Sequence, residues 1–222
     1  PRIFDSLVMY HHHDIVGAGG HAKVVLEALR QCGEEVLGLV DNDPGMTGTS
    51  LLDAPVIGGD EAVGKYAPHD IRLTIGLGLI PQRRNLFVRF KGQAHDFANV
   101  IHPAAIVSDS AKLGEGVQIM AGAIIQADAR TGDNVIINTG ASVDHDSVIG
   151  DHAHIAPGAT LAGGVHIGAG SLVGVGSTIL ENVSVGKNCI IAGGATVIGD
   201  VANNDTVAGT PATPIANKEP GR

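Results

Sequence analysis

The chain has 222 residues, of which 32 are glycine and only six are aromatic, yet 44% are hydrophobic. A core built on large aromatic anchors is excluded, and so is a disordered chain, because charge is modest at 17%. The net charge of −9 argues against a general nucleic-acid or anionic-membrane surface, since both want basic patches.

Cys32 and Cys189 are the two cysteines and give neither a disulfide framework nor zinc spacing, so a reducing cytoplasm is expected. No apolar run approaches the roughly 20 residues of a membrane helix, and no signal-peptide pattern opens the chain. All six aromatics lie at or before Phe97, and 17 glycines fall between Ile101 and Ala202. Two domains with different building rules are expected, over residues 1–98 and 99–202, with a cap and tail at 203–222.

The first part reads as α/β. Residues 1–13 carry Tyr10-His11-His12-His13 where a first strand should begin. A tag-like or poorly specified segment is favoured there over a metal site. Asp14-Ile15-Val16 is a short strand and Gly17 to Ala22 a turn. A helix from His21 to Cys32 follows, with Val24, Val25, Ala28 and Leu29 at helical spacing and Gly33 to end it. Glu35 to Val40 is a second strand, closed by Asp41. Residues 42–70 read as loop-rich, with a short helix near Asp60–Tyr66. Ile71 to Ile75 is a third strand, and Pro81 opens a helix to about Gly92. The order implies a small parallel sheet with a Rossmann-like start.

The second part repeats. Every sixth residue from Ile101 to Val197 is Ile, Leu or Val, with Thr131 the exception, and the residue four further on, from Ala105 to Val201, is always Ala, Val, Ser or Cys. A period of six fits neither a helix nor a meander. It fits a repeated strand and turn whose large and small residues both point inward, the pattern of a parallel β-helix. The register runs unbroken to Ala202. The pattern resembles the left-handed β-helix of hexapeptide acyltransferases, three hexads to a coil. Residues 18 apart then stack about 4.8 Å apart.

Two motifs carry chemistry. Gly17-x-Gly19-x-x-Ala22, with Asp41 19 residues beyond Ala22, matches a dinucleotide fingerprint, whose glycines let backbone approach phosphate at a helix N-terminus. A plain tight turn gives the same pattern. Fewer than 100 residues precede the repeat, so a nucleotide-linked sugar fits better than a full dinucleotide. Val143-Asp144-His145-Asp146-Ser147 is the sharper site. His145 sits near a bend, its stacked neighbours Ala127 and Gly163 are small, and a carboxylate beside a histidine raises its basicity. Spacing alone leaves a solvated turn equally open. His154 reads either as a corner residue touching an acyl carrier or as a surface histidine. His152 and His166 read as surface residues and His102 as structural, and a zinc-binding histidine set lacks a ligand pattern. Neither cysteine falls in the candidate site, so no thiol nucleophile is expected.

Gly17-Ala18-Gly19-Gly20-His21, Val40-Asp41-Asn42, Ile75-Gly76, the run from Asn138 to Gly150 and Val207-Ala208-Gly209-Thr210-Pro211-Ala212 together resemble the sialic acid O-acetyltransferase and sugar-nucleotide N-acetyltransferase family, over about residues 14 to 215. The resemblance implies acetyl-CoA as co-substrate, no metal, and a homotrimer with acetyl-CoA between β-helices. It implies N-acetylation of the 4-amino group of a nucleotide-linked sugar, UDP favoured, in bacterial glycan synthesis. It also implies His145 as catalytic base and Asp146 as the acid that raises its basicity, where family members often carry Glu. His154, Val175 and Gly193 would contact acetyl-CoA, with Pro157 in the column of the last two. Gly19, Gly20, His21, Asp41, Asn42 and Gly76 would contact the nucleotide-sugar. Sialic acid O-acetylation, a GDP- or dTDP-linked acceptor, and a non-catalytic or metal-binding β-helix scaffold are the alternatives.

Overall fold

A computed structural model describes residues 12–68 and 70–215. Its first unit is a parallel sheet with helices on both faces. The strands are β1 (His12–Val16), β2 (Glu35–Val40), β3 (Ser50–Leu51), β4 (Ala54–Gly58), β5 (Arg72–Ile75) and β6 (Asp96–Phe97), in the order β3-β4-β2-β1-β5-β6. All pair in parallel except the β3–β4 hairpin. Helix α1 (Gly20–Gln31) buries Ala22, Val25, Leu26, Ala28 and Leu29, one apolar stripe, against Ile15, Leu39 and Val56. Helix α2 (Ile80–Gly92) buries Phe87 and Phe90 against Val16, Leu73 and Ile75, the residues alternate to those under α1.

Three readings of the first part are corrected. His12 and His13 belong to β1; His13 is buried and its Nε2 lies 3.2 Å from Glu34 Oε2. The pairing of β1 between two strands overrides the poor strand propensity of histidine. Residues 1–11, including His11, lie outside the described residues. The loop-rich segment 42–70 also holds strands that the reading lacked, because β4 pairs with β2 and extends the sheet. Pro55 disguises it, and is tolerated because only a two-residue strand lies beyond. The short helix is a 3-10 turn at Asp60–Lys65.

Asp14, on β1, is fully buried, and neither carboxylate oxygen makes a well-formed hydrogen bond. Burial pushes its carboxyl up to about 6, with the Gly38 backbone opposing. The protonated form is therefore favoured by folding. Its cost is absent below the ordinary carboxyl range and fully present above about pH 6, on the order of 2–4 kcal/mol. Asp14→Asn should raise the melting temperature at pH 7.5, by a margin that closes as the pH falls to 4. Thermal melts of parent and variant across that range check it, and a margin independent of pH would contradict it.

The second unit is a parallel β-helix of three sheets. Partners lie 18 residues apart, as in Ile125↔Val143, Ile137↔Ile155 and Ile149↔Ile167. The two inward series form one continuous buried core. Thr131 stays buried with its Oγ1 accepting from Gly114 N at 3.3 Å, which explains the exception in the large series. At the turns, every sixth residue from Gly116 to Gly194 has a φ between 54° and 70°. Gly, Asn and Asp hold most of these left-handed positions and His152 holds one, as steric cost dictates.

The unbroken register is corrected at the end. Val201 pairs with Val185 and Val207 with Ile191, 16 residues apart rather than 18. The last coil is two residues short, and the Asp200 and Asn203 side chains accept from Ser184 N and Lys187 N across the gap. Thr213–Pro214 then folds back antiparallel on Val207 and Ala208, capping that sheet edge.

Arg83 joins the two units. It is fully buried on α2, and its guanidinium donates to the carbonyls of Gly78, Asn134, His152 and Ala153 at 2.7–3.3 Å. Burial lowers its pKa to about 10, so it stays charged at neutral pH.

Candidate active site

Three places gather the candidate residues: the glycine turn, the His145 turn and a groove between α2 and the β-helix. At the turn, Gly17 N donates to Val40 O and Gly76 N to Val16 O, both at 2.7 Å. A Cβ on Gly76 would meet Ala22 Cβ at 2.7 Å and Gly17 O at 2.8 Å, so its glycine is demanded by packing. Gly19 and Gly20 differ, since a Cβ on either meets nothing within 4 Å. The chain itself has no steric need for glycine there, and the open space lies at the N-terminus of α1.

Asp41 and Asn42 are engaged within the chain. Asp41 Oδ2 accepts from Ala18 N at 2.8 Å and Oδ1 from Asp43 N at 2.9 Å, tying the end of β2 to the glycine turn. Asn42 Nδ2 donates to Asp60 Oδ2 at 2.7 Å and its Oδ1 accepts from Asp60 N at 2.9 Å. Asp60 in turn pairs with Arg89 of α2. Both residues shape the loop beside the turn.

His145 lies at the turn between the strands Ser142–Val143 and Val148–Ile149. Its side chain is 61% exposed, and Nδ1 lies 2.8 Å from Asp146 Oδ2. The carboxylate makes Nδ1 the protonated nitrogen and leaves Nε2 as an open lone pair. The Asp146 hydrogen bond, then the charge of Asp144, raise the pKa above its usual value. Asp146 takes the left-handed conformation (φ 60°), which its short side chain tolerates. The imidazole lies over Gly163, where a Cβ would come within 2.6 Å of both Cε1 and Nε2. Gly163→Ala should therefore displace the ring without disturbing the core. We expect an unchanged melting temperature and a kcat at least tenfold lower, on the scale typical of a misplaced catalytic group. Full activity in this variant would show that the ring is not needed in that place.

The groove encloses about 1420 Å³ and is lined from one side by Gly78, Leu79, Pro81, Arg84, Val88 and Arg89, and from the other by His154, Ala156, Pro157, Leu172, Val175 and Ile190. Leu79 and Val175 are 67% and 61% exposed on its walls, a large apolar surface for a chain standing alone. Pro157, Val175 and Gly193 do form one column, with Gly176 N on Pro157 O at 3.0 Å and Gly194 N on Val175 O at 2.8 Å. Pro157 and Val175 line the groove, whereas Gly193 does not.

His154 is corrected from a corner to a strand residue, paired with Ile136 and Leu172 on a flat face of the β-helix. Its Nε2 accepts from Asn138 Nδ2 at 3.1 Å and its Nδ1–H donates to Gly78 O at 3.2 Å. Burial, Arg83 and His21 push its pKa down to about 4, so it stays neutral. His152 is also not a surface residue: it is half-buried, stands edge-on to Phe87 and lies 2.9 Å from Asn134 Nδ2. Cys189 borders the groove, against expectation, but its Sγ is buried in the coil and donates to Ala202 O at 2.9 Å.

Sequence reasoning missed Arg83, Gln118 and Gly78. The spacing of Arg83, Phe87 and Phe90 was a legible signal of one buried face. Gln118 sits between two inward residues and carries no such mark. His145 is not on the groove's face, so one chain does not unite the histidine with the groove.

A repeated-hexad β-helix with a His–Asp pair at one turn, joined to a small parallel α/β unit, defines a hexapeptide-repeat transferase. The family described as PglD N-terminal domain matches residues 14–90, and bacterial transferase hexapeptide (six repeats) matches 128–163. The chain is similar to perosamine N-acetyltransferase from Caulobacter crescentus, solved as a histidine-to-asparagine variant with CoA and GDP-perosamine. That identity is 40%, over 93% of this chain and 97% of the other, with a TM-score of 0.88. It is also similar to the acetyltransferase domain of PglB from Neisseria gonorrhoeae, solved with acetyl coenzyme A, at 35% identity over 92% and 99% of the two chains and a TM-score of 0.87. A curated relative, UDP-N-acetylbacillosamine N-acetyltransferase of Bacillus subtilis (strain 168), is 40% identical over 110 residues, about half the length of each chain. The chain belongs to the family of hexapeptide-repeat nucleotide-sugar N-acetyltransferases.

Proposed function

We propose that the protein transfers the acetyl group of acetyl-CoA to the 4-amino group of a nucleotide-linked amino sugar, UDP favoured, in bacterial glycan synthesis. The observation that carries this is the His145–Asp146 pair, with Nε2 open over Gly163, in a chain whose relatives were solved with CoA and a nucleotide-linked amino sugar. The amine nitrogen attacks the thioester carbonyl, its proton passes to His145 Nε2, the carbon–sulfur bond breaks and coenzyme A leaves as thiolate. Asp146 holds the ring tautomer and stabilises the imidazolium.

The β-helix is left-handed in this reading and the first unit is Rossmann-like. The unit of residues 1–98 holds the nucleotide-sugar, 99–202 carries the acyl transfer, and 203–222 caps it. Gly19, Gly20 and His21 hold the nucleotide-sugar beside the loop shaped by Asp41 and Asn42, with Gly76 beneath the turn. Acetyl-CoA lies along His154, Val175 and the column ending at Gly193. His145 stands off the groove's face, so a second copy brings it to the groove of the first, and three copies close the ring. No helix of the described residues is long and apolar enough to cross a membrane. Use of acetyl-CoA and two unpaired cysteines suit the cytoplasm.

Two measurements test this. Incubation with acetyl-CoA and UDP-, GDP- and dTDP-linked 4-amino sugars or sialic acid should release thiol fastest with a UDP-linked amine. Release only with sialic acid would replace the reading by O-acetylation, and no release would favour a scaffold. Light scattering should give three times 22.6 kDa, and a monomer would remove the shared site.

A further inference from the structure

Gln118, outside every candidate set, reaches from the β-helix to both sides of the glycine turn. It is 1% exposed. Its Nε2 donates to Ile75 O at 2.7 Å, and its Oε1 lies 2.7 Å from His21 Nε2. The first bond fixes the orientation of the amide, because a backbone carbonyl only accepts. Oε1 must then face His21, so His21 Nε2 carries a proton. Burial lowers the His21 pKa by more than the Gln118 hydrogen bond raises it, and Arg83 lowers it further, so the ring carries no second proton at neutral pH. Its Nδ1 is left as a bare lone pair with no hydrogen-bond partner among the described residues.

We infer that Gln118 is a positioning residue that sets the tautomer of His21, leaving Nδ1 as the acceptor, and that His21 takes a hydrogen-bond donor of the nucleotide-sugar, a hydroxyl or amine, rather than a phosphate oxygen. This rests on the reading of the turn as the nucleotide-sugar site. A lone pair repels an anion, so the diphosphate is left to the backbone N–H groups at Gly19 and Gly20, where the helix start favours it. His21 thereby discriminates the substrate end for end. The two ends of Gln118 also tie the start of α1 and the end of β5 to the β-helix, so the same amide that sets the tautomer holds the turn in place.

The test is a long-range nitrogen–proton correlation spectrum of the histidine-labelled protein near pH 7.5, with the His21 signals identified by their loss in His21→Gln. The expected pattern is a protonated Nε2 and a bare Nδ1. Adding a UDP-linked 4-amino sugar should shift Nδ1 toward the protonated end without protonating it, the mark of an accepted hydrogen bond. A protonated Nδ1 in the free protein overturns the role of Gln118. A doubly protonated ring in the complex overturns the donor assignment, because only an anion would demand it. Gln118→Glu should stabilise the imidazolium, turn Nδ1 into a donor and raise the nucleotide-sugar KM about tenfold, the value of one hydrogen bond made repulsive, with the acetyl-CoA KM unchanged. An unchanged or lower nucleotide-sugar KM counts against the inference. If the Gly19 and Gly20 amide signals ignore the nucleotide-sugar in the unaltered protein, the site reading fails and the donor assignment with it, while the free-protein spectrum still decides the tautomer.

Discussion

His145→Ala is expected to lower kcat by about 10²–10⁴, the range that general base catalysis contributes. The side chain is exposed, so the fold should survive its loss, and acetyl-CoA affinity should survive because His154, Val175 and their column, rather than His145, hold the coenzyme in this reading. Asp146→Asn should cost less, since the imidazole remains. It should also move the acid limb of kcat/KM to lower pH. Asp146 is the first cause of the raised His145 pKa, and a base with a lower pKa stays unprotonated further into acid. The amine substrate must itself lose a proton and adds an acid limb of its own, so the decisive quantity is the difference between parent and variant. Retention of more than about a tenth of parental kcat by His145→Ala would remove it from the role of base.

Arg83→Met should produce the largest loss of stability, on the order of 3–5 kcal/mol. The substitution keeps much of the aliphatic stem but strips hydrogen bonds from four carbonyls, two of them wholly enclosed with the guanidinium. It acts at the seam, so both units should loosen against each other, and His154 should lose a positive neighbour that holds its pKa down. Chemical denaturation read by far-ultraviolet dichroism gives the loss directly. A second, earlier transition confined to the α/β unit would match the seam position. A change below about 1 kcal/mol would show that water replaces the guanidinium at no cost.

Much of this protein was legible in one dimension because its second unit is nearly one-dimensional. Each coil touches only its neighbours, so the period-six choice of large and small aliphatics dictates the stacking, and Ile137 over Ile155 follows from counting. The bend residues follow too, because a left-handed φ leaves few residue types. The pairing of His145 with Asp146 is local, between adjacent residues, and the space above Gly163 is a stacking fact. The final coil escaped, because its two missing residues are recovered by the Asp200 and Asn203 side chains rather than by the repeat.

The sequence by itself thus determined the β-helix, the small parallel sheet, the candidate base and the glycine turn. Only the tertiary structure decided that His13 and Asp14 would be buried, that Arg83 would join the units, and that His154 would lie flat on a face as a neutral ring. It alone showed Gln118 spanning 97 residues to His21. The reason is physical. Periodic burial and turn sterics act between residues whose separation is fixed by the backbone, so spacing records them. The partners of a buried cation, a tautomer or a hydrogen bond across a seam depend on what two distant segments present to each other, and no interval in the chain encodes that.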